Sequence, residues 1–152
     1  LHIDWCINEP FMDWRAKKVL LERFGGDSVI ALATSIGDAP RVRMVNAHYE
    51  SGRMYVVTDA RSAKMRALSI NPRCAIAGEW FTAEGAGRSL GAFKAAANAA
   101  LAERLRRAFA DWIDNGHSDL ASENCVILEI RLQSSKLFSH GTRFEIDFKE
   151  EE

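Results

Sequence analysis

The sequence lacks the features that mark membrane, disulfide-rich and nucleic-acid-binding proteins. No apolar run approaches the roughly 20 residues that a membrane span needs. The three cysteines, Cys6, Cys74 and Cys125, lie far apart and form no C-x-x-C pair, so we expect reduced thiols and neither a disulfide framework nor a zinc site. Lys and Arg number 20 against 21 acidic residues, which argues against a general nucleic-acid binder. Any basic site must therefore be local.

The first ten residues do not resemble a secretory signal peptide, since Asp4, Trp5 and Glu9 interrupt the apolar stretch. With the reduced cysteines, this pattern favours a cytoplasmic location. No repeat, low-complexity tract or linker rich in Pro, Gly or Ser divides the chain. We expect residues 1–152 to form a single domain, long enough to bury about two-thirds of its unfolded surface.

Apolar spacing and capping residues predict three helices. The first covers Pro10–Phe24, begins at an Asn8 cap and ends at two glycines; its apolar positions are Phe11, Trp14, Val19, Leu20 and Phe24. A short helix covers Ser62–Ile70. The third covers Phe93–Asp114 and ends at Asn115-Gly116; its apolar stripe is Phe93, Ala97, Leu101, Leu105, Ala108 and Trp112.

Short segments of alternating or β-branched residues predict the strands. They are Ser28–Ser35, Arg41–Tyr49, Arg53–Thr58, Cys74–Trp80, Thr82–Leu90, Cys125–Leu132, Lys136–Phe138 and Arg143–Phe148. Tight turns between the early strands indicate a meander, and Gly85-Ala86-Gly87 within a strand indicates a bulge. Helices are too few for alternating βαβ units. We expect a mainly β (α+β) fold, an antiparallel barrel of six to seven strands with peripheral helices.

One segment carries an electrostatic conflict. Ser62 stands where a helix N-cap belongs, yet Arg61, Lys64 and Arg66 surround it, although the positive end of a helix favours acidic residues. A bound phosphate would resolve the conflict, because the free N–H groups, the hydroxyl and the cations would face one dianion. An amphipathic helix whose cations reach into water explains the pattern equally well. Two cations on a neighbouring strand, Arg41 and Arg43, favour the phosphate.

Three ordered fragments resemble a known flavoprotein core. Arg43–Tyr49, Val57–Lys64 and Asn71–Arg73 are similar to the FMN-binding segments of the pyridoxamine 5′-phosphate oxidase-like superfamily, in particular its branch related to general stress protein 26. The resemblance covers about Val29–Trp80, and more loosely Leu137–Arg143. It implies a split β-barrel that assembles as a homodimer, with one FMN in each of two clefts between the subunits.

The resemblance also implies roles for individual residues around the phosphate and the ribityl chain of FMN. Arg43 and Lys64 would neutralise the phosphate, and Ser62 would donate a hydrogen bond to it. Thr58 and Asp59 would border the ribityl chain.

The isoalloxazine ring would lie beside the backbone of three consecutive residues, Met44, Val45 and Asn46, whose amides would bond its polar edge. His48 falls where the oxidases carry a lysine, and packing within the strand is the favoured role for it. Trp80 ends a strand as a tryptophan does in the family, and core packing is favoured over flavin contact.

Two departures argue against vitamin B6 phosphate oxidation. The oxidases end with an Arg-Leu-His-Asp-Arg segment that grips the substrate, whereas this chain has Arg143–Phe148 with one arginine and no histidine. A glutamine expected after Trp80 is also missing, and Gly85–Gly87 lies near that place.

The leading hypothesis is therefore an FMN-dependent oxidoreductase that uses NAD(P)H or a small reductant. No residue stands out as catalytic, and flavin chemistry needs none. A flavin-binding stress or sensor protein without turnover is an alternative. Another is a barrel that binds haem or the deazaflavin F420. Haem would need an axial ligand, and none of the four histidines lies in a sequence pattern typical of one. They are His2, His48, His117 and His140.

Overall fold

The computed structural model describes residues 12–148. Seven strands make up most of this part of the chain: β1 (Ser28–Ile36), β2 (Ala39–Glu50), β3 (Arg53–Asp59), β4 (Arg73–Gly78), β5 (Phe81–Ala92), β6 (Cys125–Ser139) and β7 (Thr142–Asp147). Three α-helices accompany them: α1 (Trp14–Phe24), α2 (Ala63–Ile70) and α3 (Ala99–Ala108). A short 3₁₀-helix at Ala96–Asn98 leads into α3.

All strand pairs are antiparallel, in the order β3-β2-β1-β4-β5-β6-β7. The sheet closes because β3 also pairs with β6, from Arg53 opposite Arg131 to Asp59 opposite Cys125. Strands β1 to β6 thus form a closed barrel, and β7 extends it as an outer strand. The expected mainly β antiparallel barrel with peripheral helices is confirmed.

The interior of the barrel is filled by alternate strand residues together with one face of α1. Ile30, Leu32, Leu128 and Ile130 are fully buried, and Phe24 of α1 lies 5.2 Å from the Phe81 ring. A smaller cluster lies between α3 and the opposite face of β3 and β6, and it includes Tyr55, Leu105, Phe109, Ile113 and Ile127. Because α3 packs on this second cluster, it is fixed against the outside of the barrel.

Strands β2 and β3 separate soon after their hairpin. Pairing begins at Glu50 opposite Arg53 and stops at His48 opposite Tyr55. From Ala39 to Ala47, β2 has β1 as its neighbour on one side but no partner strand on the β3 side within residues 12–148. Along that edge no second strand uses the backbone polar groups of β2 within residues 12–148, and helix α1 packs beside the strand. This opening, bounded by β2, the end of β3 and the start of α2, is called the β2–β3 gap below.

Helix α1 begins later than expected. Asp13 caps it by accepting a hydrogen bond from the Arg15 backbone N–H at 2.8 Å. The proposed Asn8 cap and Phe11 lie outside the described residues. Leu20 and Phe24 are buried as expected, but Trp14 is exposed, because the buried face runs through Ala16 instead.

The third helix is much shorter than the expected Phe93–Asp114. Phe93 is not helical: its backbone N–H donates a hydrogen bond to the Cys125 carbonyl oxygen of β6 at 2.7 Å. After Ala108 the chain continues in turns that still bury Phe109 and Ile113. Their spacing is helical, but packing on the β3–β6 face bends the segment before the helix can continue.

Two other expectations about the strands are wrong in detail. The segments Cys125–Leu132 and Lys136–Phe138 are parts of one strand, β6, because a register shift opposite Glu84 and Gly85 accommodates the intervening polar residues. Trp80 is neither packed in the core nor buried: it lies in the turn between β4 and β5, 70% exposed and with a φ of 51°.

The same register shift confirms the predicted bulge at Gly85. A Cβ atom there would lie 2.6 Å from the backbone oxygen of Arg131, closer than any side chain can approach. The hairpin of β2 and β3 also matches its prediction, with Ser51 and Gly52 at φ values of 44° and 82°.

Candidate cofactor-binding site

Arg43 projects toward the interior side of β2, at the wide end of the β2–β3 gap. Its neighbours with the same orientation, Val45 and Ala47, are buried, while Val42 and Met44 face outward. Arg43 Nη1 donates hydrogen bonds to Thr34 Oγ1 at 2.8 Å and to the Leu32 carbonyl oxygen at 3.3 Å. The side chains of β2 therefore alternate between the two faces, and the neighbouring strand β1 holds the guanidinium in place.

Lys64 lies in the first turn of α2, half-buried. Burial and then the nearby positive charge of Arg43 lower the pKa of the Lys64 ammonium, and Asp59 only partly opposes this. Burial, followed by the charge of Arg41, also lowers the pKa of Arg43. Within residues 12–148, no acidic side chain forms an ion pair with Arg43 or Lys64. These two cations repel each other in a partly dry environment, an arrangement that an anion would stabilise.

Ser62 caps α2 as the sequence predicts. Its Oγ accepts a hydrogen bond from the Met65 backbone N–H at 3.4 Å. The hydroxyl proton stays available as a donor, and the helix presents its positive end at the same place. Since Arg43 approaches from β2 and Lys64 from α2, the structure brings two cations, a hydroxyl and a helix N-terminus together. That set suits a phosphate group.

The loop before α2 is shaped by a pair of opposite charges. Asp59 accepts from the Arg61 backbone N–H at 2.7 Å and from its guanidinium at 2.9 and 3.0 Å. These side-chain and backbone hydrogen bonds lower the pKa of Asp59 to about 2. Arg61 is thus engaged by Asp59 and exposed. Of the three cations around the cap, Arg61 and Arg66 are exposed and Lys64 is half-buried, with Arg43 near enough to lower its pKa.

Thr58 and Asp59 line one side of a polar cleft of about 320 Å³. The other side is formed by the segment after α3, including His117, Asp119 and Asn124. Arg43, Ser62 and Lys64 are not among the residues that line this cleft.

The three residues expected beside the ring have different orientations. Val45 is buried in the core, so its backbone alone can reach a ligand. The Met44 side chain is 64% exposed on the outer face. Asn46 also faces outward, and its Nδ2 donates to Asp27 Oδ1 at 2.9 Å.

His48 is buried, as expected for a packed strand residue. Its Nδ1 lies 3.2 Å from the Gly26 carbonyl oxygen and its Nε2 lies 3.0 Å from Glu50 Oε2. Because both partners are acceptors, both hydrogen bonds form only when both ring nitrogens carry a proton. Glu50 in turn accepts from Arg104 Nε of α3 at 2.8 Å. The histidine therefore helps to fix β2 and α3.

Sequence reasoning missed three residues that arrange the site. Thr34 is buried and orients Arg43, which the pairing of β1 with β2 could have suggested. Asp27 bonds both Asn46 and, through Oδ2, the Trp112 Nε1 at 2.9 Å. No sequence pattern connects these positions, because Asp27 and Trp112 are 85 residues apart.

The other cleft that we considered as a ligand site lacks the converging cations of the β2–β3 gap. A larger cleft of about 620 Å³ lies over β4, β5, β6 and β7, away from Arg43 and Lys64; it is open and lined mostly by exposed side chains such as Thr82 and Lys136. We favour the β2–β3 gap because its charges converge. Within residues 12–148, no group of three or more His, Cys, Asp or Glu side chains could hold a metal ion. Cys74 and Cys125 are free thiols, and Cys6 lies outside the described residues.

Known structures share this architecture. General stress protein 26 from Bacillus anthracis superposes with a TM-score of 0.65 at 16% identity, covering 87% of this chain and 99% of that protein. The chain has the split β-barrel fold. An FAD-binding protein from Mesorhizobium loti gives a TM-score of 0.63 at 16% identity, covering 82% and 92% of the two chains.

A haem-binding protein from Mycobacterium smegmatis shares the split barrel as well, with a TM-score of 0.59 at 17% identity over 82% of this chain and 54% of that one. No protein-family model matches the sequence, and no curated protein is significantly similar to it. At these identities the likeness shows the fold alone. None of the helices in residues 12–148 is long and apolar enough to cross a membrane.

Proposed function

We propose that this split barrel binds FMN and acts as an FMN-dependent oxidoreductase, with NAD(P)H or a small molecule as reductant. The observation that carries the proposal is the pair Arg43 and Lys64, two partly buried cations near the Ser62 cap, close enough for the charge of Arg43 to lower the pKa of Lys64 and without an acidic ion-pair partner in the described part of the chain. Vitamin B6 phosphate is not the proposed substrate, because Arg143–Phe148 differs from the Arg-Leu-His-Asp-Arg segment with which those oxidases bind it.

The same residues fit each part of the cofactor. Arg43, Lys64 and Ser62 would hold the phosphate, and Thr58 and Asp59 would lie along the ribityl chain. The open edge of β2 at Met44, Val45 and Asn46 would offer its amides to the ring. The residues around the gap would bind and orient the cofactor. Bound FMN would supply hydride-transfer chemistry.

We further propose that the chain forms a homodimer through the outer face of β1, β2 and β4. Val29, Val42 and Met44 are 56%, 69% and 64% exposed on that face. The strand register adds a row of alanines between them: Ala31, Ala33, Ala75 and Ala77. A large exposed apolar surface on a barrel favours burial against a second copy. Since Met44 lies on the edge of the gap, the partner would complete the FMN site.

The test of the function is spectroscopic. Purified protein is incubated with FMN, freed from excess cofactor and titrated anaerobically with NADH or NADPH. We expect a flavin absorption band that bleaches on titration and returns over repeated cycles in air. A bound flavin that is bleached by neither nucleotide nor a small biological reductant such as a thiol would contradict the proposed oxidoreductase activity. The flavin-binding stress or sensor protein would then replace it.

The same spectrum separates the cofactor alternatives. A Soret band would indicate haem, and F420 would be recognised by its own absorption and fluorescence. Haem is less well supported, because His48 is engaged by Gly26 and Glu50, whereas His117 and His140 lie in exposed turns.

A further inference from the structure

Asp27 connects two elements across the narrow end of the β2–β3 gap. Its Oδ1 accepts from Asn46 Nδ2 of β2, and its Oδ2 accepts from Trp112 Nε1 of the segment after α3, both at 2.9 Å. Trp112 itself packs at 4.9 Å against Phe109, which belongs to the cluster on the outside of β3 and β6. The carboxylate is therefore held from both sides of the gap.

This contact fixes the orientation of the Asn46 amide. A carboxylate oxygen accepts hydrogen bonds, so the Asn46 atom that faces Asp27 must be the NH₂ group. The amide oxygen, Oδ1, then points elsewhere, and it accepts no hydrogen bond within residues 12–148. Asn46 lies two residues before His48, where the pairing with β3 stops. An acceptor of fixed orientation thus stands at the edge of the opening.

The position of Asn46 matches one end of a molecule whose phosphate is held at Arg43. The two positions are three residue steps apart along β2, about 10 Å, and their side chains point to opposite faces of the strand. A cofactor anchored by its phosphate and laid along the open edge of β2 would bring its ring toward Asn46. The oxidised isoalloxazine ring has acceptors at N1, O2, O4 and N5, and its one N–H donor is N3–H, on the pyrimidine edge.

We propose that Asn46 Oδ1 accepts a hydrogen bond from the N3–H of the flavin ring, and that Asp27 is the positioning residue that holds the amide in this orientation. The inference rests on the proposed FMN site and assigns a side chain to its ring-recognition end. It makes the chain selective for a planar ring with an imide N–H.

The test compares FMN with its N3-methyl analogue, which lacks the donor. Dissociation constants are measured by quenching of flavin fluorescence. We expect the unmodified protein to bind FMN about 5- to 20-fold more tightly than N3-methyl-FMN. Asn46→Leu should bring this ratio close to one, and Asp27→Ala should lower it. Asp111→Ala, which removes an exposed carboxylate next to Trp112, is the matched control and should keep it.

The ratio separates ring recognition from a merely structural effect, because a general loss of stability weakens both ligands alike. Should Asn46→Leu fold poorly, the ratio in the unmodified protein is still decisive. Tight binding of FMN with a ratio near one would overturn the inference, as would an unchanged ratio in Asn46→Leu. An unchanged ratio in Asp27→Ala would overturn the role of Asp27. No FMN binding by the unmodified protein would instead refute the proposed function.

Discussion

Arg43 and Lys64 show how a residue can be unfavourable for the isolated fold and still suit a ligand. Each is a cation that lacks an acidic partner among the described residues, and burial together with neighbouring cations lowers the pKa of both. The sequence indicates Lys64 through its place after a helix cap. It indicates Arg43 only as a charge on an apolar strand, and the strand register decides that the two meet.

We expect Arg43→Ala combined with Lys64→Ala to weaken FMN binding by about 100-fold or more, because each removes a charge-assisted contact worth roughly 1.5–3 kcal/mol. Isothermal titration calorimetry at low salt measures the change. Lys94→Ala with Arg107→Ala removes the same net charge from exposed positions and should leave affinity nearly unchanged. Equal affinity in both double variants would show that the phosphate lies elsewhere.

Gly85 is a second residue whose identity is set by its surroundings. We expect Gly85→Ala to lower the free energy of unfolding by about 1–3 kcal/mol, since its Cβ would meet the Arg131 backbone oxygen at 2.6 Å and backbone cannot easily move. Urea denaturation followed by circular dichroism measures it. Gly26→Ala is the control, because a Cβ there meets nothing within 4 Å. A loss no larger than that of the control would mean that the bulge adjusts without strain.

At the scale of elements, α3 is docked by charges as well as by apolar contacts. Burial raises the pKa of Glu50, but hydrogen bonds from Arg104 and His48 outweigh it, and the net pKa lies below its ordinary value of 4.5. A carboxyl whose pKa is depressed by folding stabilises the protein above its unfolded-state pKa. That stabilisation is lost as the pH falls through the folded-state pKa.

We therefore expect Arg104→Ala to destabilise the protein by about 1 kcal/mol at pH 7, since the pair is only partly buried. The difference from the unmodified protein should shrink below about pH 4.5. Thermal unfolding between pH 3 and pH 7 gives both results. Arg107→Ala breaks an exposed contact of 3.5 Å with Glu103 and should cost no more than about 0.5 kcal/mol. A difference independent of pH would contradict the role of Glu50.

The helices show where sequence patterns are reliable. For α2, the Ser62 cap and the Asn71-Pro72 stop fix both ends locally, and the prediction is confirmed. For α3, the predicted stripe is only partly correct: Leu105 is buried, Leu101, Ala108 and Trp112 are partly buried, and Ala97 is exposed. The buried face continues through Phe109 and Ile113 instead, and the helix ends at Ala108. Apolar spacing correctly predicted that this segment packs on the sheet. It does not report whether the backbone between the apolar residues stays helical, because tertiary packing can supply the same burial through turns.

At the scale of the whole molecule, the exposed apolar face is the feature that the barrel by itself leaves unexplained. We expect Met44→Lys to convert the proposed dimer into a monomer and to weaken FMN binding, because a charge would be buried against the second copy. Light scattering coupled to size-exclusion chromatography measures the mass. Phe138→Lys, at an exposed position on β6 and so outside this face, is the control. A monomeric unmodified protein would refute the dimer.

The sequence by itself determined the order and type of most elements, since turns such as Ser51-Gly52 and the Ser62 cap depend on residues a few positions apart. It also predicted a basic, phosphate-binding site near Lys64, which stays a prediction. The tertiary structure decided the closure of β3 onto β6, the gap along β2 and the convergence of Arg43 with Lys64. It alone joined Asp27, Asn46 and Trp112, because hydrogen bonds between distant residues follow from strand register and helix docking, and no local pattern encodes them.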